Sequence, residues 1–324
     1  MSRCAYCFHP ADASAPDAQC AHCTTPFPNG WHDTHVTCIA LAGATWTGKS
    51  VYIGVLVKQL EHLVLQRKGV MRFANDESRR MYEEIYERPL FKLRGLMPPT
   101  RPVGLTDSYQ RTPLVLQIDA ADGSRHHLVI RDVAGEDLQT MPADADFSYF
   151  RSADAVIFLF DPCAVPTIQI KLDMSASGGG LVPPQHVLDT VLDLMGPDAP
   201  FLGIAISKFD VLQELAGKEH AGLHDAMGNR GAAFFRDPTF TADYSDDDAA
   251  LLHEEVRSLL AYLEAREITN RAEAFERARP GRLRYFAVSA LGDMPEGEHL
   301  HPRGIAPFRC ADPVRWAYLG TGVL

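Results

Sequence analysis

The sequence predicts an α/β protein with a small metal-binding module in front of it. Short β-branched and apolar runs alternate with segments whose apolar residues recur at helical spacing, an order of elements typical of the α/β class. Several of the apolar runs are followed at once by a short polar motif. Four of the seven cysteines form two CxxC pairs close to the N-terminus, and these predict the metal-binding module.

The composition is typical of soluble globular proteins that bury a substantial core. The 324 residues are 46% hydrophobic and 23% charged. The formal net charge of -11 argues against nonspecific nucleic-acid binding, because such binders need a basic field. No apolar run approaches the roughly 18 residues of a membrane span, and the N-terminus shows no signal-peptide core. We therefore expect a cytoplasmic protein without a membrane span.

The N-terminal CxxC pairs predict a zinc ribbon. Two such knuckles can place four thiolates at the corners of a tetrahedron around Zn²⁺. His9 and His22 could replace a cysteine, but four thiolates leave no vacancy. We assign residues 1–30 to the ribbon, with a docking or structural role, and residues 31–324 to the main domain. The predicted zinc ligands are Cys4, Cys7, Cys20 and Cys23.

The stretch GATWTGKS predicts a phosphate-binding loop. It follows an apolar strand that begins at His35 and precedes a segment with helical spacing, which is the context that the GxxxxGK[ST] motif requires. We expect Lys49 to reach the β- and γ-phosphates and the Ser50 hydroxyl to bind Mg²⁺. The residues predicted to contact the nucleotide here are Gly43, Thr45, Trp46, Thr47, Gly48, Lys49, Ser50 and Val51.

A second motif, DVAG, follows a predicted hairpin with its turn at Asp122-Gly123. Asp132 lies at the end of the second strand of this hairpin and can hold Mg²⁺ through water. Gly135, three residues later, can offer its N–H to the γ-phosphate. The spacing from the phosphate loop strengthens a motif that is weak by itself.

Two further strand ends predict that the base is guanine. SKFD follows the strand that begins at Phe201, and its aspartate can accept both N1–H and N2–H₂ of guanine. Adenine does not present this pair of donors. The last predicted strand ends in VSAL, where an amide can meet guanine O6. The residues predicted to contact the base are Ser207, Lys208, Asp210, Ser289 and Ala290.

In this order, GATWTGKS, DVAG, SKFD and VSAL resemble the motifs of Ras-like GTPases of the TRAFAC class of P-loop proteins, over residues 35–292. With the zinc ribbon and DVAGED, the chain also resembles the bacterial double-GTPases, which are associated with conflict-type systems. The resemblance implies a P-loop GTPase fold, with a mainly parallel sheet, helices on both faces and the nucleotide at the carboxyl ends of the strands.

The resemblance also implies a threonine that closes over Mg²⁺ and the γ-phosphate. It should lie in the long segment between the first helix and the hairpin, residues 68–112, which also includes a predicted helix. Thr100 in MPPTRP fits this role best, and Thr106 and Thr112 remain alternatives. Two insertions, at residues 163–184 and 228–248, further extend the main domain.

Two departures from the family pattern concern hydrolysis. Glu136 occupies the position after DxxG where small GTPases commonly place a glutamine. Its charge could orient water yet repel the γ-phosphate, which predicts slow intrinsic hydrolysis; alternatively it points away and starts the next helix. Trp46 replaces a small residue, and could shield the γ-phosphate, pack on the long segment or contact a partner.

The function predicted from these motifs is a Mg²⁺-dependent GTPase that hydrolyses GTP to GDP and acts as a molecular switch. Its expected partners are a guanine nucleotide and a protein effector or second GTPase, with Mg²⁺ and Zn²⁺ as cofactors and Lys49, Thr100 and Glu136 in catalysis. One alternative is a GTP-binding scaffold that does not hydrolyse GTP and recruits a partner through the zinc ribbon. Another is an ATPase, which would be indifferent to the aspartate of SKFD.

Overall fold

In the part of the chain that the structure describes, one seven-stranded sheet organises the protein. In the computed structural model its order is β2-β3-β4-β1-β5-β6-β7. The strands are β1 (His35–Ala42), β2 (Val70–Phe73), β3 (Leu114–Asp119), β4 (Arg125–Asp132), β5 (Ala155–Phe160), β6 (Phe201–Ile206) and β7 (Leu283–Ala287). The structure describes residues 2–11, 19–28, 30–97, 112–143, 145–173, 183–197, 200–229, 231–241, 243–293 and 299–318.

The sheet is mainly parallel, as predicted. β4, β1, β5, β6 and β7 run parallel, with Leu41 of β1 opposite Asp132 of β4. β3 pairs antiparallel with β4 through the predicted hairpin, whose turn contains Gly123 at φ 84°. β2 adds an antiparallel edge strand that the sequence did not indicate, because its four residues are half-exposed and show no long apolar run.

Helices cover both faces of this sheet. They are α1 (Lys49–Gln66), α2 (Asp76–Met81), α3 (Gly135–Thr140), α4 (Tyr149–Ser152), α5 (Pro166–Lys171), α6 (Pro184–Met195), α7 (Phe209–Glu214), α8 (Ala221–Met227), α9 (Asp246–Tyr262), α10 (Arg266–Ala278) and α11 (Asp312–Ala317). None of the helices in the described part of the chain combines the length and apolar surface that a bilayer crossing would take.

Two separate apolar cores result from the alternation of side chains along the strands. In β1, Val36, Cys38 and Ala40 enter one core, which also holds the apolar stripes of α6, α9 and α10. The intervening Ile39 and Leu41 enter the other, which α1 and α11 cover. Successive residues of a strand point to opposite faces, so a sheet buried on both sides needs continuous apolar strands such as β5, AVIFLF.

The long segment after α1 is helical where a helix was predicted, but its geometry changes along the way. α2 begins with an Asn75 N-cap, whose side chain accepts a hydrogen bond from the Ser78 amide. From Tyr82 to Lys92 the backbone continues as a π-helix with Pro89 inside it. Proline removes one backbone donor, and the wider turn accommodates this loss. The glycine-rich part of the first insertion lies outside the described residues.

The N-terminal module packs directly on the main sheet. The Trp31 indole is buried and donates from Nε1 to the Arg3 carbonyl at 2.8 Å. Phe8 is fully buried and meets the Tyr149 ring edge-on at 5.6 Å. Module and main domain thus share one core, while the division into residues 1–30 and 31–324 remains a prediction.

The C-terminal part of the chain also packs back on the sheet, as its aromatic residues indicate. Trp316 in α11 is buried and contacts the rings of Phe201 and Phe286 at 5.4 and 5.6 Å. Tyr52 of α1 donates its hydroxyl proton to the Cys310 carbonyl at 2.8 Å, which ties this segment to the first helix. The C-terminal segment is therefore part of the second core.

Candidate nucleotide-binding site

The predicted phosphate loop joins the end of β1 to the start of α1. At Gly43 the backbone has φ 151°, and a Cβ there would lie 2.1 Å from the Leu159 carbonyl oxygen. Gly48 caps α1 with φ 83°. A Cβ at Gly43 would clash with this carbonyl, and the positive φ at both positions favours glycine, so the turn accounts for the two glycines of the motif. The loop opens at the N-terminus of an 18-residue helix, where backbone amides favour anions.

Lys49 is buried, and its side chain curls over the loop. Its ammonium group donates to the carbonyls of Gly43 and Ala44 at 2.8 and 3.0 Å. Burial lowers the pKa of Lys49 to about 8, although the Asp132 carboxylate acts in the opposite direction. An anionic ligand in the loop would favour the charged form of this lysine.

The other predicted loop contacts are arranged around this lysine. Thr47 is buried and donates from Oγ1 to the Ala44 carbonyl at 2.9 Å. Ser50 is buried in the first turn of α1, next to a half-exposed Val51. Trp46 adopts φ 68° and is 58% exposed, so in this structure it projects from the loop into solvent.

The DVAG motif lies against the phosphate loop. Asp132 is buried at the end of β4, beside the last residues of β1. Gly135 opens α3, and a Cβ on it would lie 2.3 Å from the Thr45 amide nitrogen. Two motifs that are about ninety positions apart in sequence therefore share one backbone contact, and glycine is the residue that this contact admits.

The structure describes Glu136 and one of the three candidate threonines. Glu136 is exposed in the first turn of α3, where a carboxylate is favourable. Thr100 and Thr106 lie outside the described residues. Thr112 is described: it lines a small cavity with Asp132 and donates from Oγ1 to Glu77 at 3.2 Å.

The predicted base motifs meet at the ends of β6 and β7. Ser289 donates from Oγ to Asp210 at 2.5 Å, and the Phe209 amide bonds the Val288 carbonyl at 3.1 Å. Burial raises the pKa of Asp210, while the Ser289 hydrogen bond and the Lys208 charge oppose this rise. Ser207 is buried and donates from Oγ to the Phe160 carbonyl at 2.9 Å. Ala290 is half-exposed in the loop that follows.

One acidic residue of this region was not predicted from the sequence. Asp161 follows β5 directly and accepts a hydrogen bond from Lys208 Nζ at 2.7 Å. Lys208 itself has a positive φ of 50°, which places its side chain beside this carboxylate. The signal available in the sequence was the position of Asp161, an acidic residue immediately after a buried strand.

The four cysteines predicted as zinc ligands converge. Their sulfur atoms all lie within 4.8 Å of one another, with Cys4 and Cys23 3.5 Å apart and Cys7 and Cys20 3.6 Å apart. Sulfurs bound tetrahedrally at about 2.3 Å from Zn²⁺ would be about 3.8 Å apart, so the cluster fits that ion. His9 stacks on His22 at 3.7 Å beside it and adds two further nitrogen donors.

Taken together, a mainly parallel sheet and a glycine-rich loop from a central strand to a long helix define a P-loop protein of the α/β class. Residues 37–264 match the family model Double-GTPase 2, and the chain therefore belongs to that family. This confirms the resemblance that the four motifs indicated. Family membership supports guanine-nucleotide binding.

A relative from Mycolicibacterium smegmatis is 45% identical over 312 residues, which cover 94% of this chain and 80% of that protein. Its name provisionally describes an ESX-1 scaffolding and assembly protein, SaeC. The septin GTPase domain of Chlamydomonas reinhardtii is 12% identical with a TM-score of 0.37, over 90% of this chain and 92% of that one. The bacterial elongation factor EF-Sec is 13% identical with a TM-score of 0.33, over 87% of this chain and 28% of its own.

The contact between Gly135 and the phosphate loop can be tested with Gly135→Ala. The new Cβ would lie 2.3 Å from the Thr45 nitrogen and 2.6 Å from the Ala44 carbonyl carbon, so the loop must shift. We expect affinity for Mg²⁺-GTP, measured by calorimetry, to fall at least about tenfold, and stability to fall by about 1–3 kcal/mol. In Gly217→Ala the Cβ meets nothing within 4 Å, so this control should bind like the wild type. Unchanged affinity in Gly135→Ala would contradict the prediction.

Proposed function

We propose that this protein binds GTP with Mg²⁺, hydrolyses it slowly to GDP and acts as a molecular switch for a protein partner. The observation that carries the proposal is the contact between Asp210 and Ser289. It unites two predicted base motifs at the carboxyl ends of β6 and β7, the same end of the parallel strands from which the phosphate loop leaves β1. Membership of the Double-GTPase 2 family supports the same nucleotide.

The phosphate half of the proposed site has the donors that a triphosphate needs. Lys49 supplies one positive charge within a loop whose glycines leave the backbone accessible. Ser50 and Asp132 supply a hydroxyl and a carboxylate, the oxygen ligands that Mg²⁺ prefers, and both are buried in this region. When bound, Mg²⁺ neutralises charge on the phosphates. The assignment of Thr100 to this ion remains a prediction.

The base half of the proposed site depends on an ionised carboxylate. Asp210 accepts from the Ser289 hydroxyl through Oδ1, and as a carboxylate it retains acceptor capacity for the two donors of guanine. Adenine offers no donor at N1, so it would leave the half-buried Asp210 carboxylate without the two donors that guanine supplies, and this is costly. Lys208 is tied to Asp161 in this structure, and in the proposed complex its stem lies across the base.

For catalysis, we propose that Glu136 limits the rate of hydrolysis. It is exposed in the first turn of α3, directly after Gly135, which abuts the phosphate loop. A carboxylate at this place would repel the γ-phosphate unless a partner supplies a cation. Slow turnover suits a switch whose state a second protein controls.

A second candidate function is a GTP-binding scaffold that does not hydrolyse the nucleotide. The observation in its favour is the name of the 45% identical relative, which refers to scaffolding and assembly. An assembly role in an ESX-1-like system is then the corresponding proposal for this chain. The predicted association with conflict-type systems remains a prediction. Both candidates require GTP binding, and they differ in phosphate release.

The base assignment can be tested with Asp210→Asn. The amide loses the charge that accepts two guanine donors, but it can donate to the carbonyl that xanthine carries in place of the guanine amino group. We expect GTP affinity to fall at least about 100-fold, or roughly 2.8 kcal/mol, with a gain in affinity for xanthosine triphosphate. Asp189→Asn is the matched control, because this residue pairs with Arg271 between α6 and α10. Equal GTP affinity in Asp210→Asn and the wild type would refute the assignment.

Hydrolysis can be tested by single-turnover phosphate release. We expect slow release from the wild type and several-fold faster release from Glu136→Gln, because the neutral amide can orient water without repelling the γ-phosphate. Glu84→Gln, a change at an exposed position on the π-helix, should behave like the wild type. If no GDP forms over hours, even with candidate partners present, the enzyme proposal fails and the scaffold remains.

A further inference from the structure

The loop after β7 carries the predicted base contacts Ser289 and Ala290, and a segment near the C-terminus holds it by backbone hydrogen bonds. Beyond β7, residues 289–291 pair with residues 306–308 near the C-terminus. The Ser289 amide donates to the Phe308 carbonyl at 3.1 Å, the Phe308 amide returns the bond at 2.8 Å, and the Ala306 amide donates to the Leu291 carbonyl at 2.8 Å. The shape of the base loop therefore depends on where the C-terminal segment is anchored.

The anchor is Arg309, which follows this pairing and is 1% exposed. Its guanidinium donates to Asp312 at 2.7 Å, to Asp248 at 2.9 and 3.0 Å and to the Arg236 carbonyl at 2.9 Å. Its amide donates to Asp237 at 2.6 Å. Its φ of 50° is unusual for a residue with a side chain. Five hydrogen bonds thus hold one backbone position in a left-handed conformation.

The anchor also reaches the other base motif. The Phe308 ring stacks on Phe209 of SKFD, with centroids 6.0 Å apart and an interplanar angle of 16°. Asp248 lies in the first turn of α9 and Asp312 in that of α11. Arg309 therefore supports both base motifs through the segment that contacts them, and its hydrogen bonds connect this segment to α9, to α11 and to the loop at Arg236. This arginine lies outside residues 37–264, the part that matches the family model.

We infer that Arg309 is a positioning residue for guanine recognition, which rests on the proposed GTP function. Without its ion pairs, the 306–308 segment is free to shift, and Ser289 moves away from Asp210. The phosphate loop at the other side of the site keeps its own supports, Leu159 and Gly135. Loss of Arg309 should therefore weaken recognition of the base more than recognition of the phosphates.

The test compares GTP with inosine triphosphate, which lacks only the 2-amino group that Asp210 is proposed to bind. We expect the wild type to prefer GTP by about tenfold or more. Arg309→Met should bring this ratio close to one, Asp248→Asn should reduce it in part, and Arg309→Lys should retain more of it than Arg309→Met. Arg271→Met removes the comparable arginine–carboxylate pair with Asp189 on α6 and should leave the ratio unchanged.

A general loss of stability would weaken the binding of GTP and of inosine triphosphate alike. The ratio of the two affinities therefore separates an effect on positioning from an effect on folding. If Arg309→Met does not fold, the affinity ratios measured in Asp248→Asn and Arg309→Lys decide whether the inference holds. If the ratio stays at the wild-type value in these variants while their melting temperatures fall, the inference is overturned and the GTP function stands. If the wild type binds GTP and ATP alike, the proposed function fails and this inference with it.

A different set of contacts concerns the N-terminal module, residues 1–30, which carries the predicted zinc ligands and is called the zinc module below. Tyr6 lies between two predicted zinc ligands, and its carbonyl accepts a hydrogen bond from Arg131 Nη1 at 2.5 Å. Arg131 immediately precedes Asp132, and its guanidinium lies 3.9 Å from the centre of the Tyr149 ring. The first knuckle is therefore bonded to the residue next to the proposed Mg²⁺ carboxylate.

Glu77 links the same tyrosine to the last residue of the long segment before the hairpin. Its hydroxyl donates to Glu77 at 3.4 Å, and the other oxygen of Glu77 accepts from Thr112. On the opposite side, Arg3 pairs with Asp154 at 3.1 Å and donates to the Ser152 carbonyl at 2.8 Å. One small module thus contacts β4, the long segment before the hairpin and the residues that precede β5.

We propose that the docking of the zinc module and the state of the nucleotide are thermodynamically coupled. A γ-phosphate that reorders the segments around Asp132 and Thr112 must change their contacts with Tyr6. By linkage, the nucleotide then changes how tightly the module is held, to the same extent that the module changes the preference for GTP over GDP. The proposal rests on the GTP function and on zinc binding by the cysteine cluster.

The test measures the zinc affinity of the full chain by competition with a chromogenic chelator. The protein is loaded with Mg²⁺ and either GDP or a non-hydrolysable GTP analogue, and we expect the two zinc affinities to differ at least threefold. Arg131→Met removes the bond to Tyr6 and should reduce this difference. Arg125→Met removes an arginine at the other end of β4, paired with Asp119, and should preserve it. Equal zinc affinities for both nucleotides, or a protein purified without zinc, would overturn the proposal; failure to bind GTP would overturn the function itself.

Discussion

The backbone of the phosphate loop packs between the carboxyl ends of β4 and β5, the two strands on either side of β1, and the rest of the site depends on this packing. Gly43 presses against the Leu159 carbonyl of β5, and Gly135 presses from the β4 side against the Ala44–Thr45 backbone. A Cβ at either place would come within 2.3 Å of a backbone atom. Because backbone can approach backbone this closely only at glycine, the loop is held in shape before a ligand arrives.

Further contacts to the strands and loops of the proposed nucleotide site come from segments near the two ends of the chain. At one end, Arg3 and Tyr6 of the N-terminal module contact Asp154 and Arg131 around β4 and β5. At the other, the segment around Arg309 pairs with the base loop. Both segments lie outside residues 37–264, which match the family model. The ion pairs of Arg309 are buried, and such pairs stabilise little by themselves, because desolvation of the charges offsets their attraction.

Much of the fold could be predicted from the sequence because its signals are local. The apolar run of β5, the Asp122-Gly123 turn and the glycines around Lys49 each report on a few adjacent residues, and the structure contains all three elements. The edge strand β2 and the π geometry of the predicted helix around Pro89 were not predicted. Their existence depends on pairing with β3 and on packing against α1, which no local pattern records.

For the site, the sequence by itself determined which chemical groups are present: the GATWTGKS loop, the acids Asp132 and Asp210, and four paired cysteines. Only the tertiary structure decided which of them meet. Asp210 reaches Ser289 because β6 and β7 are neighbours, and Lys208 reaches Asp161 because β5 lies on the other side of β6. The proposed roles of Tyr6 and Arg309 rest on contacts that only the structure reveals. Arg131, the partner of Tyr6, and Asp248, one partner of Arg309, lie far away in sequence. Burial of a charged group such as the Arg309 guanidinium is tolerated only where folding supplies such partners.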